Sequence, residues 1–126
     1  PKRDWSSDVC SSDLAQSDWV CVQVPSGRET RGIIGSKEFA MMKPGAKLIN
    51  VSRARNVDRD ALLDALRSGR LGGFALDPLY EEPGRAGDEL LKFDNVILTP
   101  HIAAMPRFNA LRDFEELVAG IGVALK

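Results

Sequence analysis

The sequence predicts an α/β domain built on a parallel sheet that helices cover on both faces. Short apolar segments alternate with segments of helical periodicity along most of the chain. The apolar segments contain few polar residues, and this pattern is typical of strands that are buried on both faces of a parallel sheet. Crossovers between such strands are right-handed and lay a helix against the sheet.

Four apolar segments are predicted strands. The first is rich in β-branched residues and is closed by Pro25, and each of the other three is followed by a polar residue or a loop. The four predicted strands cover residues 19–24, 47–51, 73–76 and 96–98.

Three helices are predicted between and after these strands. Ser36 is expected to cap a helix over residues 36–42, and Asp58 is expected to cap a second helix that ends just before Gly69. A third helix is predicted over residues 106–125, where apolar residues recur every three or four positions.

Composition and charge exclude several classes of protein. The 126 residues are enough for one domain, and 17 basic residues against 18 acidic ones give a formal net charge of -1. No charged block favours nucleic acid or a membrane as the main partner, and no apolar run reaches the roughly 20 residues that span a bilayer. The two cysteines, Cys10 and Cys21, form neither a disulfide framework nor a zinc motif. We therefore expect no metal and a cytoplasmic protein.

Residues 1–14 differ in character from the rest of the chain. They are polar, rich in Ser and Asp, and show no periodicity. The string DWSSDVCSSDL is what one reading frame of a common short-read sequencing adapter encodes. We therefore expect residues 1–14 to be a non-native segment joined to a truncated gene, and the alternative is a disordered N-terminal tail. The domain itself is expected over residues 15–126.

Three polar side chains lie where predicted strands end. Arg53 comes shortly after the second strand, Asp77 directly after the third, and His101, the chain's single histidine, shortly after the fourth. Ligands of open α/β sheets bind at the carboxyl ends of the strands. Arginine can hold a carboxylate through two hydrogen bonds, and histidine can exchange a proton near neutral pH. Each residue also has a structural alternative: a surface arginine, an aspartate that caps a turn, and a histidine with one structural hydrogen bond.

Four stretches of the chain together resemble the D-isomer-specific 2-hydroxyacid dehydrogenases. They are SDWVCVQVP…ETRGIIG (17–35), MKPGAKLINVSRARNVDRDAL (42–62), GRLGGFALDPLYEEP (69–83) and NVILTPHIAA (95–104). They occur in the family's order and at its usual spacings. The resemblance implies a partial Rossmann-like, doubly wound parallel sheet that forms the second half of the nucleotide-binding domain.

The resemblance also implies roles for individual residues. Arg53 would bind the carboxylate of the substrate and polarise its 2-oxo group, and His101 would donate or accept the proton. Glu82 would pair with His101 and tune it, and Asp77 would hold the carboxamide of the nicotinamide. Hydride transfer would belong to the cofactor. The residues expected to line NAD or NADP are Val24, Pro25, Val51, Ser52, Arg53, Asp77, His101, Ala103 and Ala104.

Departures from the family pattern leave the substrate open. Ala54 and Arg55 follow Arg53 where the family usually has one or two glycines. Arg55 adds positive charge beside the expected carboxylate clamp. This charge favours an acidic or phosphorylated substrate, or else it faces solvent.

The chain contains no G-x-G-x-x-G, the loop that holds the cofactor's pyrophosphate at a helix N-terminus in this family. We therefore expect the first half of the domain, the substrate domain and the residue that selects NAD over NADP to lie outside this chain. A half-sheet has an open apolar edge, so we expect the 126 residues alone to be marginally stable and inactive.

The full-length parent is expected to be a homodimer that transfers a hydride between NAD(P) and a D-2-hydroxy acid or 2-oxo acid. The alternative is a non-catalytic, dinucleotide-sensing dimer of the kind that acts as a corepressor.

Overall fold

A computed structural model of the chain describes residues 8–103, with side chains from Ser12 onwards. The predicted helix over residues 106–125 and the predicted site residue Ala104 lie outside the described residues. Two short 3₁₀ helices span Ala54–Asn56 and Glu89–Lys92. The helices are α1 (Asp8–Gln16), α2 (Ser36–Met41) and α3 (Arg59–Arg67), and the strands are β1 (Trp19–Val22), β2 (Ala46–Asn50), β3 (Leu71–Leu76) and β4 (Val96–Leu98).

The four strands form one parallel sheet in the order β1-β2-β3-β4. This arrangement confirms the predicted α/β fold with parallel strands. Val22, Asn50, Leu76 and Leu98 are paired across the sheet and form a row near the carboxyl ends of the strands, which we call the edge row. The residues that follow the edge row in each strand therefore meet along one edge of the sheet.

Strand boundaries differ from the predicted ones in three of the four strands, and β2 is shifted by one residue, to Ala46–Asn50. β1 ends at Val22 and not at Val24, and β3 begins at Leu71 and not at Gly73. The pairing of Leu71 with Ala46 extends β3 through two glycines, which carry no apolar side chain for the sequence pattern to reveal.

The caps of α2 and α3 show one correction and one confirmation. The N-cap residue of α2 is Gly35, and the predicted cap Ser36 is the first residue of the helix. The Glu38 carboxylate accepts a hydrogen bond from the Gly35 backbone N–H at 3.0 Å and so satisfies this end of the helix. Asp58 caps α3 as predicted, and its Oδ1 accepts from the Ala61 backbone N–H at 2.9 Å.

The core lies between the sheet and the helices α2 and α3. The crossovers from β1 to β2 and from β2 to β3 run in the same direction along the sheet, so right-handedness places both helices on one face. α2 packs against α3, and α3 packs against β3. Fully or nearly fully buried side chains on the two sides of this layer are Phe39, Leu48, Leu62, Leu66, Leu71, Phe74 and Leu76.

The opposite face of the sheet is open in the described part of the chain. Along β2, Ala46, Leu48 and Asn50 are buried while Lys47 is exposed. Trp19 in β1 is 60% exposed and Ile97 in β4 is 66% exposed. The expected cover of helices on both faces is therefore not present within residues 8–103, because both crossover helices lie on the same side.

Helix α1 overlaps the segment that the sequence predicts to be non-native or disordered. Its half-buried Leu14 packs against the core, and α1 contacts α2. Leu14 thus gives this helix an apolar contact with the rest of the chain. Whether residues 1–14 are native, and where the domain begins, stay predictions. None of the helices within residues 8–103 has the length and apolar character needed to cross a membrane.

Candidate active site

The edge row brings the three predicted polar residues to the same edge of the sheet. Neighbouring strands lie about 4.8 Å apart, so residues that follow paired positions start close together. Asp77 lies directly after the edge row, and Arg53 and His101 each lie three residues beyond it. The structure thus places all three at the carboxyl ends of adjacent strands.

His101 and Glu82 form a side-chain pair. His101 Nδ1 lies 2.8 Å from Glu82 Oε1. The same carboxylate oxygen accepts a hydrogen bond from the Leu79 backbone N–H at 3.2 Å, which helps to orient the carboxylate. Because Nδ1 contacts Glu82, Nε2 is the ring nitrogen that remains available to a ligand. The side chains of His101 and Glu82 are 39% and 46% exposed, so solutes can reach the pair.

His101 has an unusual backbone conformation. Its φ is 56°, in the left-handed region that few residues other than glycine adopt. Its N–H donates to the carbonyl oxygens of Asp77 at 3.0 Å and Thr99 at 2.9 Å. Conformations of this kind persist where the surrounding contacts fix them. The loop after β4 therefore sets the direction of the imidazole.

Asp77 is buried and binds the loop that carries His101. Its Oδ1 accepts from Thr99 Oγ1 at 2.6 Å and from the Ile102 N–H at 2.8 Å, and its Oδ2 accepts from the Ala103 N–H at 3.0 Å. Burial by itself raises the pKa of Asp77, but the hydrogen bonds from Thr99, Ala103 and Ile102 outweigh burial and lower that pKa below its ordinary value. The carboxylate is therefore ionised and binds the loop after β4.

Arg53 lies in a turn that the buried side chain of Asn50 builds. Asn50 Nδ2 donates to the Arg53 carbonyl oxygen at 2.9 Å, and Asn50 Oδ1 accepts from the Ser52 N–H at 3.0 Å and from Ser52 Oγ at 2.9 Å. Arg53 Nη1 donates to the Ser52 carbonyl oxygen at 2.7 Å. No carboxylate among residues 12–103 forms an ion pair with Arg53, so its exposed guanidinium is suited to an anionic ligand.

Asn56 connects two predicted cofactor-lining residues, Val24 after β1 and Ser52 after β2. Asn56 Nδ2 donates to the Val24 carbonyl oxygen at 2.9 Å and lies 3.0 Å from Ser52 Oγ. Asn56 Oδ1 is buried and has no hydrogen-bond partner within the described part of the chain. The other predicted lining residues that the structure describes at this edge are exposed: Pro25, Val51 and Ala103.

Sequence analysis missed Asn50, Asn56 and Thr99. Both asparagines are fully buried, and each organises a turn at the sheet edge. The residue type could have identified Asn50, because asparagine is depleted in strands and Asn50 ends an apolar strand. Thr99 carried no such signal, because threonine is common at the ends of strands.

Arg55 lies beside the site but its charge is partly balanced. It lines a surface cavity of about 290 Å³ together with Arg31, Asp58, Asp60 and other residues. Two aspartates at this cavity offset part of the positive charge of the arginines. Arg55 by itself therefore gives weak support to an acidic or phosphorylated substrate.

The arrangement supports proton transfer and carboxylate binding. An imidazole paired with a carboxylate can exchange a proton through its free nitrogen, and an arginine without an internal partner can bind a carboxylate. Between residues 8 and 103 no group of three or more His, Cys, Asp or Glu side chains is placed to hold a metal ion.

Comparison with known proteins gives a family match over most of the chain. Residues 6–103 match the family model described as D-isomer specific 2-hydroxyacid dehydrogenase, NAD binding domain. The match begins within the segment that the sequence predicts to be non-native.

Individual relatives agree with this match. The chain is 42% identical over 113 residues to a glyoxylate reductase of Thermococcus gammatolerans, which covers 90% of this chain and 33% of that protein. It is 47% identical over 93 residues to the D-3-phosphoglycerate dehydrogenase of Escherichia coli, which covers 71% of this chain and 23% of that protein. The chain thus spans a third or less of the length of these relatives.

A solved structure shows the same fold. It is a D-isomer specific 2-hydroxyacid dehydrogenase from Xanthobacter autotrophicus in complex with NADPH and MES, with a TM-score of 0.71 and 42% identity over 75% of this chain and 30% of that one. The match to the family model, the relatives and the shared fold have one explanation: the chain belongs to the D-isomer specific 2-hydroxyacid dehydrogenase family, a family of oxidoreductases, and carries the NAD-binding region of Rossmann-like fold.

Proposed function

We propose that this chain carries the catalytic residues of an NAD(P)-dependent oxidoreductase that interconverts D-2-hydroxy acids and 2-oxo acids. The observation that carries the proposal is the 2.8 Å contact between His101 Nδ1 and Glu82 Oε1, at the sheet edge where Arg53 also lies. Because the chain spans a third or less of its relatives, the activity is proposed for the full-length protein and not for these 126 residues alone.

Each of the three residues has a distinct task in the proposed reaction. The Arg53 guanidinium binds the carboxylate of the acid and orients its 2-oxo group. In reduction, protonated His101 donates the proton on Nε2 to the oxo oxygen, and in oxidation neutral His101 takes that proton back. Glu82 holds the ring through Nδ1 and compensates the positive charge of the protonated form.

The residues at the edge fit a nicotinamide. Half-buried Val24 and exposed Val51 offer apolar contact to a ring. Asp77 Oδ2 accepts one described hydrogen bond, which leaves acceptor capacity for the amide of a carboxamide. The buried Asn56 Oδ1, which lacks a partner among residues 8–103, is a further acceptor at the same edge. When bound, NAD or NADP supplies or accepts the hydride.

We further propose that the full-length protein is a cytoplasmic homodimer whose partner in the reaction is a small 2-hydroxy or 2-oxo acid. Sedimentation of the full-length protein at several concentrations tests the dimer. A monomer at all of them would contradict it.

The activity is tested on the full-length protein encoded by the natural gene. Loss of NADH or NADPH absorbance is followed with glyoxylate, hydroxypyruvate and pyruvate. We expect His101→Ala to lower kcat by about a hundredfold or more, as loss of a general acid–base does. Arg53→Ala should mainly raise KM for the acid, by about tenfold to a hundredfold, since it removes charge-assisted hydrogen bonds. Lys92→Ala, which removes an exposed cation of the 3₁₀ helix that precedes β4 and not of the sheet edge, is the matched control.

Two outcomes would contradict the proposal. If His101→Ala kept the kcat of the natural protein, His101 would not be the acid–base group. If the protein bound NADH but reduced no 2-oxo acid across a wide panel, the dinucleotide-sensing alternative would replace the enzymatic one.

A further inference from the structure

Asp77 holds the loop after β4 through both its side chain and its backbone. The Asp77 side chain accepts hydrogen bonds from one side-chain hydroxyl and two backbone N–H groups, all of which belong to residues 99–103. The Asp77 backbone carbonyl oxygen accepts a fourth bond, from the His101 N–H. The whole residue is 5% exposed, so these contacts are shielded from solvent.

Thr99 is the one side chain among these donors. Its Oγ1 lies 2.6 Å from Asp77 Oδ1, and its backbone N–H donates to the Leu76 carbonyl oxygen at 3.0 Å. Thr99 is thereby attached both to the end of β3 and to the Asp77 carboxylate. Its hydroxyl has a single hydrogen, which the contact with Asp77 uses.

The loop needs such an anchor because His101 is in the left-handed region, with a φ of 56°. For a residue other than glycine this region is costly and persists where surrounding contacts hold it, so loss of those contacts favours other conformations. A change of φ at His101 would swing the imidazole away from Glu82, 2.8 Å from its Nδ1.

We propose that Thr99 is a positioning residue that acts through Asp77 to hold the His101 backbone turn and so aims the imidazole at both Glu82 and the substrate. The proposal rests on the proposed function for its kinetic part. It adds a task to Asp77 that is compatible with cofactor binding, because Oδ2 accepts only one hydrogen bond from the described residues.

The kinetic test compares Thr99→Val, which keeps the side-chain shape and removes the hydroxyl, with Thr99→Ser, which keeps the hydroxyl. In the full-length protein we expect Thr99→Val to lower kcat by about tenfold to a hundredfold, the usual effect of a small misplacement of a reacting group. The KM for the acid should change little, and Thr99→Ser should restore most of kcat. Ser68→Ala removes a hydroxyl that donates to Ala65 at the end of α3, and is the control.

The spectroscopic test does not depend on turnover. His101 is the single histidine of these 126 residues, so in this chain the ¹⁵N signals of its imidazole need no assignment by mutation. In the natural chain and in Thr99→Ser, the neutral ring should carry its hydrogen on Nδ1, where Glu82 accepts it. In Thr99→Val this tautomer preference should weaken, while circular dichroism reports whether the fold persists.

The outcomes separate the two proposals. Unchanged kcat and unchanged imidazole signals in Thr99→Val would overturn the positioning role. If the natural protein showed no turnover, the proposed function would fail, and the imidazole signals would still decide the role of Thr99. If Thr99→Val failed to fold, equal imidazole signals in Thr99→Ala and Thr99→Ser would overturn the proposal, and a loss of the tautomer preference in Thr99→Ala alone would support it.

Discussion

At the scale of single residues, two adjacent glutamates have different surroundings. Glu82 contacts His101 and the Leu79 N–H, whereas Glu81 forms an ion pair with Arg85 at 2.5 Å. Both glutamates are exposed, so exposure does not distinguish them. The 2.8 Å contact distinguishes them and agrees with the partner that the family resemblance implies, Glu82.

We therefore expect Glu82→Gln to lower kcat of the full-length enzyme by about tenfold or more, because glutamine cannot compensate the charge of the protonated imidazole. The KM for the acid should change little, since Arg53 and not Glu82 binds the carboxylate. Steady-state kinetics with a 2-oxo acid and NADH or NADPH measures both constants. Glu81→Gln is the matched control, and an equal loss of kcat in both variants would count against a specific role for Glu82.

The Asp77 carboxylate makes a second prediction at this scale, on stability against pH. Its pKa is below the ordinary value of 3.8 in the folded chain, because the hydrogen bonds from Thr99, Ala103 and Ile102 outweigh burial. A lowered folded pKa contributes stability that is present above 3.8 and is lost as the pH falls through the folded pKa. As the pH is lowered below 3.8, the free energy of unfolding, measured in urea, should therefore decrease.

In Asp77→Asn this part of the pH dependence should be absent. Asp18 and Glu89 also have lowered pKa values, through Lys43 and Arg67 respectively, so some loss of stability in acid should remain in the variant. Asp94→Asn, at an exposed aspartate, serves as the control. Identical pH profiles for the natural chain and Asp77→Asn would show that the hydrogen bonds to this carboxylate do not favour its ionised form.

Sequence reasoning identified the residues at the edge but not their local supports. A polar residue just after an apolar strand is a local sequence pattern, and this pattern identified Arg53, Asp77 and His101. The partners Asn50 and Thr99 act through contacts between neighbouring strands. Those contacts depend on the register, which no local pattern contains. The direction of the Asp77 carboxylate, toward the loop after β4, was hidden for the same reason.

At the scale of elements, the start of β3 leaves no room for a side chain at Gly72, because the backbone that leads into β2 lies against it. Gly72 faces Gly45 across the start of β3, where the register shifts between Ala46 and Lys47. A Cβ on Gly72 would overlap the Gly45 carbonyl oxygen and would lie 2.8 Å from the carbonyl carbon. The obstacle is backbone, so it cannot rotate away as a side chain could.

We expect Gly72→Ala to destabilise the chain by about 1–3 kcal/mol, the usual cost of forcing extra volume into a packed site. Thermal or urea unfolding measures the loss. Gly87→Ala is the control, because a Cβ at Gly87 meets nothing within 4 Å and its φ is not in the left-handed region. A stability equal to that of the natural chain would mean that the two strands can separate locally without cost.

The same close approach shows where sequence-based prediction of elements succeeds and where it stops. The helix after Asp58 was predictable because a cap residue, an apolar face and a terminal glycine all agree. The start of β3 was not, because Gly72 and Gly73 carry no pattern and only the neighbouring strand makes them part of the sheet. Likewise, the cap of α2 depends on the Glu38 side chain and not on the hydroxyl of Ser36.

At the scale of the whole molecule, the described helices leave one face of the sheet without cover. Trp19 and Ile97 are 60% and 66% exposed on strands at opposite edges of the sheet, and Lys47 lies over the Trp19 ring, 4.6 Å from its centroid. A cavity of about 270 Å³ lies on this face, and Trp19, Ile97 and mainly apolar groups of Ile49, Ala75 and neighbouring residues line it. Apolar patches of this kind mark surfaces that associate.

We therefore expect the 126-residue chain to self-associate through the face that the described helices leave uncovered, and Ile97→Lys should shift it toward monomer in sedimentation velocity at equal concentration. Leu91→Lys is the matched control, because Leu91 is 56% exposed but does not line the same cavity. Both variants add the same charge. A larger shift toward monomer in Ile97→Lys than in Leu91→Lys would therefore be due to the position of Ile97 on this face and not to net charge. An equal shift in both would attribute association to charge alone, and a monomeric natural chain would show that the open face does not associate.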